Sequence, residues 1–264
     1  MESNHNDQLA SGRLQWSGES NHYYQADVYV LGTPPGCSFS QAPSLENPTD
    51  VGPGVKTFCS SGCDVACPAG AKGPGWYLPG GRDDAHAELR WDGVELNKNY
   101  FTVSMWVKRD NLDSDIGLFS YGEYSHHQGF MTQMRSARHE NDFHIRASSS
   151  ERPGFGAYNS GNVGWSDRMI VSQWAHVAVV KDGSEIRYYI NGKQAGSPNL
   201  SFAGKPKTMP ADRHFNVGSW FESSKILQGY VSNIHVFGSD SDPAQAYSDA
   251  AMKKLYDSES GLSC

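Results

Sequence analysis

The sequence has no long hydrophobic run and no cluster of basic residues. None of its uninterrupted apolar stretches approaches the roughly 18 residues that a membrane-spanning helix requires. Lys and Arg number 22 against 29 Asp and Glu, which gives a formal net charge of −7. Because phosphate binding depends on clustered Lys and Arg, nucleic acid is not an expected partner. With 38% hydrophobic and 19% charged residues, the chain has the composition of a folded protein and not of a disordered one.

The cysteines lack the paired C-x-x-C spacing of a zinc ribbon or a redox motif. Their number is odd and three of them are spaced by four, which favours a disulfide framework with one thiol left over; metal ligation and unpaired buried thiols are the alternatives. Disulfides indicate an oxidising compartment, so we expect a secreted or extracellular protein. The polar residues 1–7 lack the apolar segment of a signal peptide, and export would therefore imply a processed or engineered start. The cysteines are Cys37, Cys59, Cys63, Cys67 and Cys264.

Glycine and proline are concentrated in one segment. Residues 32–81 hold 10 of the 28 Gly and 8 of the 13 Pro. Pro lacks a backbone donor and Gly has no side chain to pack, so this segment is predicted to be a long cross-linked loop. Residues 23–31 alternate well enough to form a strand before it. We expect residues 1–75 to be an arm that packs on a main domain formed by residues 76–264.

Strand signals dominate the chain after residue 76. Residues 101–108 alternate apolar and mostly polar side chains, which predicts a strand with one buried face. Residues 174–180 and 185–190 flank an Asp-Gly turn and predict a hairpin. Only the end looks helical, with Asp242 as cap, Pro243 at the first position and a helix over residues 244–257. The strand pattern therefore predicts an all-β fold of two packed antiparallel sheets, with a Cys/Gly/Pro-rich N-terminal arm and one short C-terminal helix.

Five motifs follow one another in a recognisable order: 81–85 with 90–93 (GRDDA, RWDG), 101–108 (FTVSMWVK), 173–179 (QWAHVAV), 187–193 (RYYINGK) and 228–237 (QGYVSNIHVF). With the first pair in a changed order, they resemble segments of the laminin-G-like jelly-roll domains of the concanavalin A-like lectin/glucanase superfamily, which has pentraxin-like relatives. The resemblance covers about residues 76–256 and leaves residues 1–75 outside it. It implies that the two predicted sheets form an antiparallel jelly-roll sandwich.

The resemblance implies a sugar binder, an adhesion module or a polysaccharide hydrolase, and fold alone does not choose among them. A retaining hydrolase of this superfamily would present its carboxylates as E-x-D-x-x-E on one strand, and the sequence has no such triple. Residues 86–90 and 233–235 faintly resemble two motifs of polysaccharide lyases, but the third motif is missing. We therefore expect a non-catalytic protein and not an enzyme.

The strand faces opposite the predicted core carry side chains suited to a sugar: flat rings for its CH face, and donors or acceptors for its hydroxyls. Loop aromatics would add rim contacts. An ordinary core role for Trp106 and Trp174, or cover by the N-terminal arm, is the alternative. An open face would favour a ligand, and a covered face would favour a scaffold. The candidate ligand-binding residues are Trp106, His144, Arg146, Arg187, Tyr189, Asn233 and His235 on strands, with Trp165 and Trp220 in loops.

Acidic loop residues offer oxygen ligands for one structural calcium ion, with solvated turns as the alternative. The candidates are Asp83, Asp84, Asp113 and Asp115. The acidic run that follows the Val-Gly strand end in pentraxin-like relatives is missing after Val217-Gly218. Taken together, the sequence predicts a non-catalytic module for a glycan or glycoprotein. The alternatives are a structural or adhesion subunit that docks onto protein partners in a larger assembly, and a polysaccharide-cleaving enzyme with an unorthodox site.

Overall fold

A computed structural model of the chain describes most of its strands and its C-terminal helix. The described residues are 13–17, 23–31, 50–51, 56–58, 69–72, 75–80, 89–91, 94, 96–110, 116–123, 128–134, 143–147, 156–159, 172–196, 215–219 and 226–262. None of the helices within these ranges is long and apolar enough to cross a membrane.

Sixteen strands, one 3₁₀ turn (Pro243–Gln245) and one helix, α1 (Asp249–Ser260), make up the described structure. The strands are β1 (Arg13–Ser17), β2 (Tyr23–Leu31), β3 (Asp50–Val51), β4 (Lys56–Phe58), β5 (Gly75–Pro79), β6 (Leu89–Trp91), β7 (Tyr100–Arg109), β8 (Ile116–Glu123), β9 (Gln128–Met134), β10 (Phe143–Ala147), β11 (Gly156–Asn159), β12 (Trp174–Asp182), β13 (Glu185–Ile190), β14 (Lys193–Gln194), β15 (Phe215–Val217) and β16 (Gln228–Ser239).

The strands form two antiparallel sheets, which confirms the predicted sandwich. One sheet has nine strands in the order β1-β2-β16-β7-β12-β13-β14, with β5 also paired to β16 and β4 paired to β5. The other has seven strands in the order β11-β10-β9-β8-β15-β6-β3. Within the N-terminal segment, β2 pairs with β16 and so belongs to the nine-stranded sheet.

The long strand β16 pairs with β5 along its first half and with β2 along its second half, while β7 runs along its other edge. The β16–β7 register shifts between Ser232 and His235, and Asn233 adopts a φ of 46° at this bulge. A bulge bends a strand and increases its twist. This bulge lies where β16 changes its pairing partner from β5 to β2.

Alternate residues of the central strands build the core between the sheets, as the sequence predicts. On β7, Val103, Met105 and Val107 are fully buried members of one apolar cluster. The rings of Trp76 on β5 and Trp91 on β6 join the two sheets edge to face, with centroids 6.1 Å apart. Burying each such side chain contributes roughly 1.5–3 kcal/mol. The same alternation sends the other side chains of β7 and β12 to the outer face of the nine-stranded sheet.

The C-terminal helix begins later than the sequence predicts. The Asp242 side chain accepts a hydrogen bond from the backbone N–H of Ala244, but the turn it caps is only a 3₁₀ turn that ends at Ala246. Thr102 stabilises the chain between this turn and the helix. Its hydroxyl donates to the Gln245 carbonyl (2.7 Å) and accepts from the Tyr247 N–H (2.9 Å). Helix α1 then starts with Ser248 as its cap. The predicted first helical position, Pro243, is therefore wrong by six residues, because the chain first docks on β7 before the helix starts at Asp249.

Candidate functional site

Helix α1 covers the part of the outer face of the nine-stranded sheet that carries Trp106, His235 and Tyr189. Two predicted ligand-binding residues lie beneath it: Trp106 is 2% exposed and Tyr189 is fully buried. The Trp106 ring stacks on Tyr256 of the helix, with centroids 5.5 Å apart and planes 23° apart. The sequence left open whether this face is exposed, and at these two residues it is covered. The cover consists of the C-terminal helix together with Lys72 of the N-terminal arm, whose ammonium lies 5.5 Å from the Trp106 ring centre.

The buried carboxylate of Glu259 links the helix to two strands. Its Oε2 accepts a hydrogen bond from Trp106 Nε1 at 2.7 Å, and its Oε1 lies 2.5 Å from His235 Nε2. Hydrogen bonds to a charged group are stronger than those between neutral groups, and here they offset the desolvation free energy of the buried carboxylate. Two predicted ligand residues, Trp106 and His235, therefore bind a side chain of their own protein.

A smaller apolar cluster fixes the other end of the helix. The Tyr189 hydroxyl donates to Asp249 Oδ1 at 2.6 Å. Burial and this hydrogen bond raise the pKa of Tyr189 well above its usual value, so the residue stays a neutral donor. Met252 packs into the same cluster. Its further members are Ala178, Val180 and Ala246, with Tyr100, Tyr247 and Leu255 against them.

Two more predicted ligand residues also have partners within the chain. Arg187 forms ion pairs with Asp182 (3.1 Å) and Glu185 (3.2 Å). The Asn233 amide donates to the Lys72 carbonyl at 2.8 Å. Arg187 thus stabilises the β12–β13 hairpin, and Asn233 anchors the segment 69–72. A role of these two residues in ligand binding stays a prediction.

The remaining predicted site residues lie either in the other sheet or outside the described residues. His144 and Arg146 lie on β10, in the seven-stranded sheet. The expectation that they share a face with Trp106 and Tyr189 is therefore wrong, because parity along single strands does not reveal which sheet a strand joins. Outside the described residues lie Trp165 and Trp220, the acidic candidates Asp83, Asp84, Asp113 and Asp115, and the cysteines Cys37, Cys59, Cys63, Cys67 and Cys264.

The part of the outer face that α1 leaves uncovered carries a row of aromatic side chains, here called the aromatic row: Trp174, Tyr230 and Tyr77, with Lys108 between the first two. The four residues are neighbours across β12, β7, β16 and β5. The ring centroids of Tyr230 and Tyr77 are 4.8 Å apart, and those of Trp174 and Tyr230 are 6.2 Å apart. All four side chains are half-buried, so each presents part of its surface to solvent.

Charged groups accompany these rings. The Lys108 ammonium lies 5.3 Å from the centre of the Tyr230 ring, within the range of a cation–π interaction. Asp110 follows at the end of β7, and partial burial raises the pKa of its carboxyl, an effect that Lys108 opposes. The aromatic row thus combines flat apolar surface with an amine and a carboxylate.

The segment 69–72 separates the aromatic row from the helix. A side-chain carbon at Gly70 would lie 3.5 Å from Trp174 Cδ1, so this segment runs against the Trp174 ring. The Lys72 ammonium donates to the Ser260 carbonyl at 2.6 Å and lies 5.5 Å from the Trp106 ring centre. The described outer face therefore has a part covered by the helix and, beside it, the half-buried aromatic row.

Sequence reasoning missed Lys108, Tyr230 and Tyr77 as site residues and named Trp174 only as possible core. The available signal was the alternation itself. Lys108 lies two residues beyond Trp106 on β7, which places both side chains on one face. Among the described residues, no group of three His, Cys, Asp or Glu side chains is placed to hold a metal ion.

These features define an antiparallel two-sheet sandwich of a type found mostly in binding modules. The family model described as "Concanavalin A-like lectin/glucanases superfamily" matches residues 81–245. The chain belongs to this superfamily. Helix α1 lies beyond the matched residues. No curated protein matches the chain significantly.

Solved structures with a similar fold come from several proteins. The heptameric SAP-like pentraxin of Limulus polyphemus is 15% identical, with a TM-score of 0.50 over 76% of this chain and 81% of that chain. The binding domain of botulinum neurotoxin serotype G is 10% identical, with a TM-score of 0.53 over 80% of this chain and 46% of that chain. Domain 4 of an extracellular arabinanase from Geobacillus stearothermophilus, solved in complex with arabinotriose, is 19% identical, with a TM-score of 0.47 over 74% of this chain and 82% of that chain. At these identities the similarity concerns the fold alone.

Proposed function

We propose that the protein is a non-catalytic carbohydrate-binding module that binds its ligand on the aromatic row. The observation that carries the proposal is the row of three half-buried rings and one lysine across four neighbouring strands, beside the covered part of the same face. Membership of a superfamily named for lectins and glucanases supports carbohydrate as the ligand class.

The side chains of the aromatic row match the two kinds of surface that a sugar ring offers. Its CH faces are apolar and pack on aromatic rings, while its hydroxyls need hydrogen-bond donors and acceptors. Trp174, Tyr230 and Tyr77 supply the rings. Lys108 supplies an ammonium donor, and Asp110 supplies an acceptor when ionised. Their side by side arrangement along one row suits an oligosaccharide chain better than a single sugar.

A glycan array tests this proposal with the full chain and two variants, Trp174→Ala and Tyr230→Ala. Loss of one ring should weaken binding by roughly tenfold, or about 1.4 kcal/mol, because the stacking surface is removed. Tyr189→Phe serves as the control, since it removes only a hydroxyl that bonds Asp249 beneath the helix. It should bind as the wild type does.

The array also separates the two other functions. If no glycan binds, while the row variants change association with a protein partner, the protein is a structural or adhesion subunit. If reducing or unsaturated sugar ends are released from a polysaccharide, it is an enzyme. Either result would overturn the carbohydrate-binding module as proposed here.

The proposal places the protein outside the cell or in another oxidising exported compartment. Its support is the set of cysteines in the N-terminal segment, which favours disulfides over metal ligation. One structural calcium at the acidic loop residues belongs to the same proposal. Mass mapping of the disulfides and a melting measurement with and without calcium test these two parts.

A further inference from the structure

His176 is buried at the centre of the part of the sheet that α1 covers. Its ring lies 5.5 Å from that of Trp106 and 6.0 Å from that of Tyr256, centroid to centroid. The side chain is fully buried, and neither ring nitrogen has a hydrogen-bond partner among the described residues. The backbone of His176 is held in place, because it exchanges two hydrogen bonds with Asn191. The imidazole therefore occupies an aromatic pocket closed by the helix.

Among the described residues, the titratable groups near His176 come from the helix, from β16 and from the segment 69–72. Glu259 and Tyr256 belong to the helix, and His235 belongs to β16. Glu259 favours a charged imidazole and His235 opposes it, but burial has the largest effect and lowers the pKa of His176 to about 4.

The carboxylate nearest to His176, that of Glu259, already has two hydrogen-bond partners. Both oxygens of Glu259 are engaged, one by Trp106 and one by His235. The Lys72 ammonium near the Trp106 ring adds a further positive charge to this pocket. Neither ring nitrogen of His176 is hydrogen-bonded to that carboxylate, so a protonated His176 would be buried without such a bond, which is costly.

The helix that closes the pocket is short and polar on its outer side. It has 12 residues, fewer than an isolated helix needs to be stable in water. Its contacts with the sheet rest on a few side chains, chiefly Glu259, Tyr256, Met252 and Asp249. The helix can therefore leave the sheet without breaking any strand pairing.

We propose that helix α1 is an acid-released cover, which protonation of His176 displaces from the outer face of the nine-stranded sheet. Displacement exposes His176 to water together with Trp106 and Tyr189. The covered part of the face then becomes available beside the aromatic row. This proposal does not depend on carbohydrate binding by the aromatic row.

The direction of the pH effect follows from the two states. In the open state His176 is solvated and titrates near its ordinary pKa of 6.5, whereas in the closed state its pKa is about 4. Between these values the open state binds one more proton, so the contribution of neutral His176 to closure is fully present above the upper value and is lost as the pH falls. From pH 7.5 to pH 4.5 the opening equilibrium should rise roughly 70-fold.

Hydrogen exchange followed by mass spectrometry on the full chain measures this equilibrium. The protection factor of the segment Asp249–Ser260 should fall by roughly 70-fold between about pH 7.5 and pH 4.5, after correction for the intrinsic exchange rate. The core strand Trp174–Asp182 should keep its protection. Equal loss of protection in both segments would mean global unfolding and would overturn the proposal.

Two variants identify the titrating group. His176→Phe keeps an aromatic ring and His176→Gln keeps a polar side chain of smaller volume, and neither titrates in this range. In whichever of them folds, the protection of the helix should no longer depend on pH in this window. If both retain the wild-type pH dependence, another group, such as Glu259, releases the helix, and the proposal is wrong.

Discussion

Replacing Gly229 with alanine should destabilise the protein by roughly 3 kcal/mol or more, because no neighbouring side chain can move to make room. Gly229 has a φ of 151°, and a Cβ placed there would lie 2.0 Å from the backbone oxygen of Lys108. Gly229 is paired with Arg109 on one side and with Leu78 on the other. The strand therefore cannot shift away without breaking hydrogen bonds to a neighbour. Thermal or urea unfolding measures the effect.

Gly261→Ala is the matched control for this substitution. Gly261 ends α1 with a φ of −82°, and a Cβ there would meet nothing within 4 Å. Its replacement should change the free energy of unfolding by no more than about 0.5 kcal/mol. Equal melting temperatures for the two variants would mean that β16 and β7 do not approach as closely as described. Since Tyr230 follows Gly229, the aromatic row would then also be misplaced.

Glu259→Ala should release the C-terminal helix at neutral pH. The substitution leaves the Trp106 indole N–H and the ring of His235 without their partner, in a site that is almost closed to water. Loss of hydrogen bonds to a buried charged group costs about 2–4 kcal/mol here, enough to open a helix that is unstable by itself. Hydrogen exchange of Asp249–Ser260 should accelerate by at least about 30-fold, the equivalent of 2 kcal/mol.

Asp257→Ala, on the same helix, is the control. Within the described part of the chain, the Asp257 carboxylate pairs only with Lys253 one turn away, and both side chains are more than half exposed. Such a pair on a helix contributes about 0.3–0.5 kcal/mol, so the helix should stay docked. If Glu259→Ala and Asp257→Ala have the same effect, the buried carboxylate does not hold the cover in place.

Strand faces could be predicted from the sequence because the side chains of a strand alternate strictly. Val103, Met105 and Val107 face the core, as do Ile186 and Tyr188 on β13. The hairpin is also where the Asp-Gly turn predicts it, with Asp182 paired to Glu185 across the two-residue turn. Both features depend only on neighbouring residues, which a single sequence contains.

The cover on the outer face could not be predicted in this way. Trp106 and Trp174 share one face by parity, yet one is buried beneath α1 and the other is half-exposed beside it. The difference depends on how far the helix reaches, and the helix lies more than seventy residues from either tryptophan in the sequence. Alternation identifies the residues of a face but not what packs on them.

The sequence also could not show which strands share a sheet. His144 and Arg146 alternate with apolar residues as Trp106 does, but β10 pairs with β9 and β11 in the opposite sheet. Strand order is set by pairings between residues far apart in the chain. A set of binding residues predicted only from the alternation along each strand can therefore include residues that lie in different sheets.

The most direct test of the account is an NMR titration that follows the indole N–H signals of the seven tryptophans at neutral pH, with the oligosaccharide that binds most strongly on the array. Trp→Phe variants assign the signals. The account predicts that the Trp174 signal shifts with added sugar, while the Trp106 signal, whose N–H is bonded to Glu259, stays in place. A shift of Trp106 without a shift of Trp174 would place the ligand beneath the helix and contradict the account.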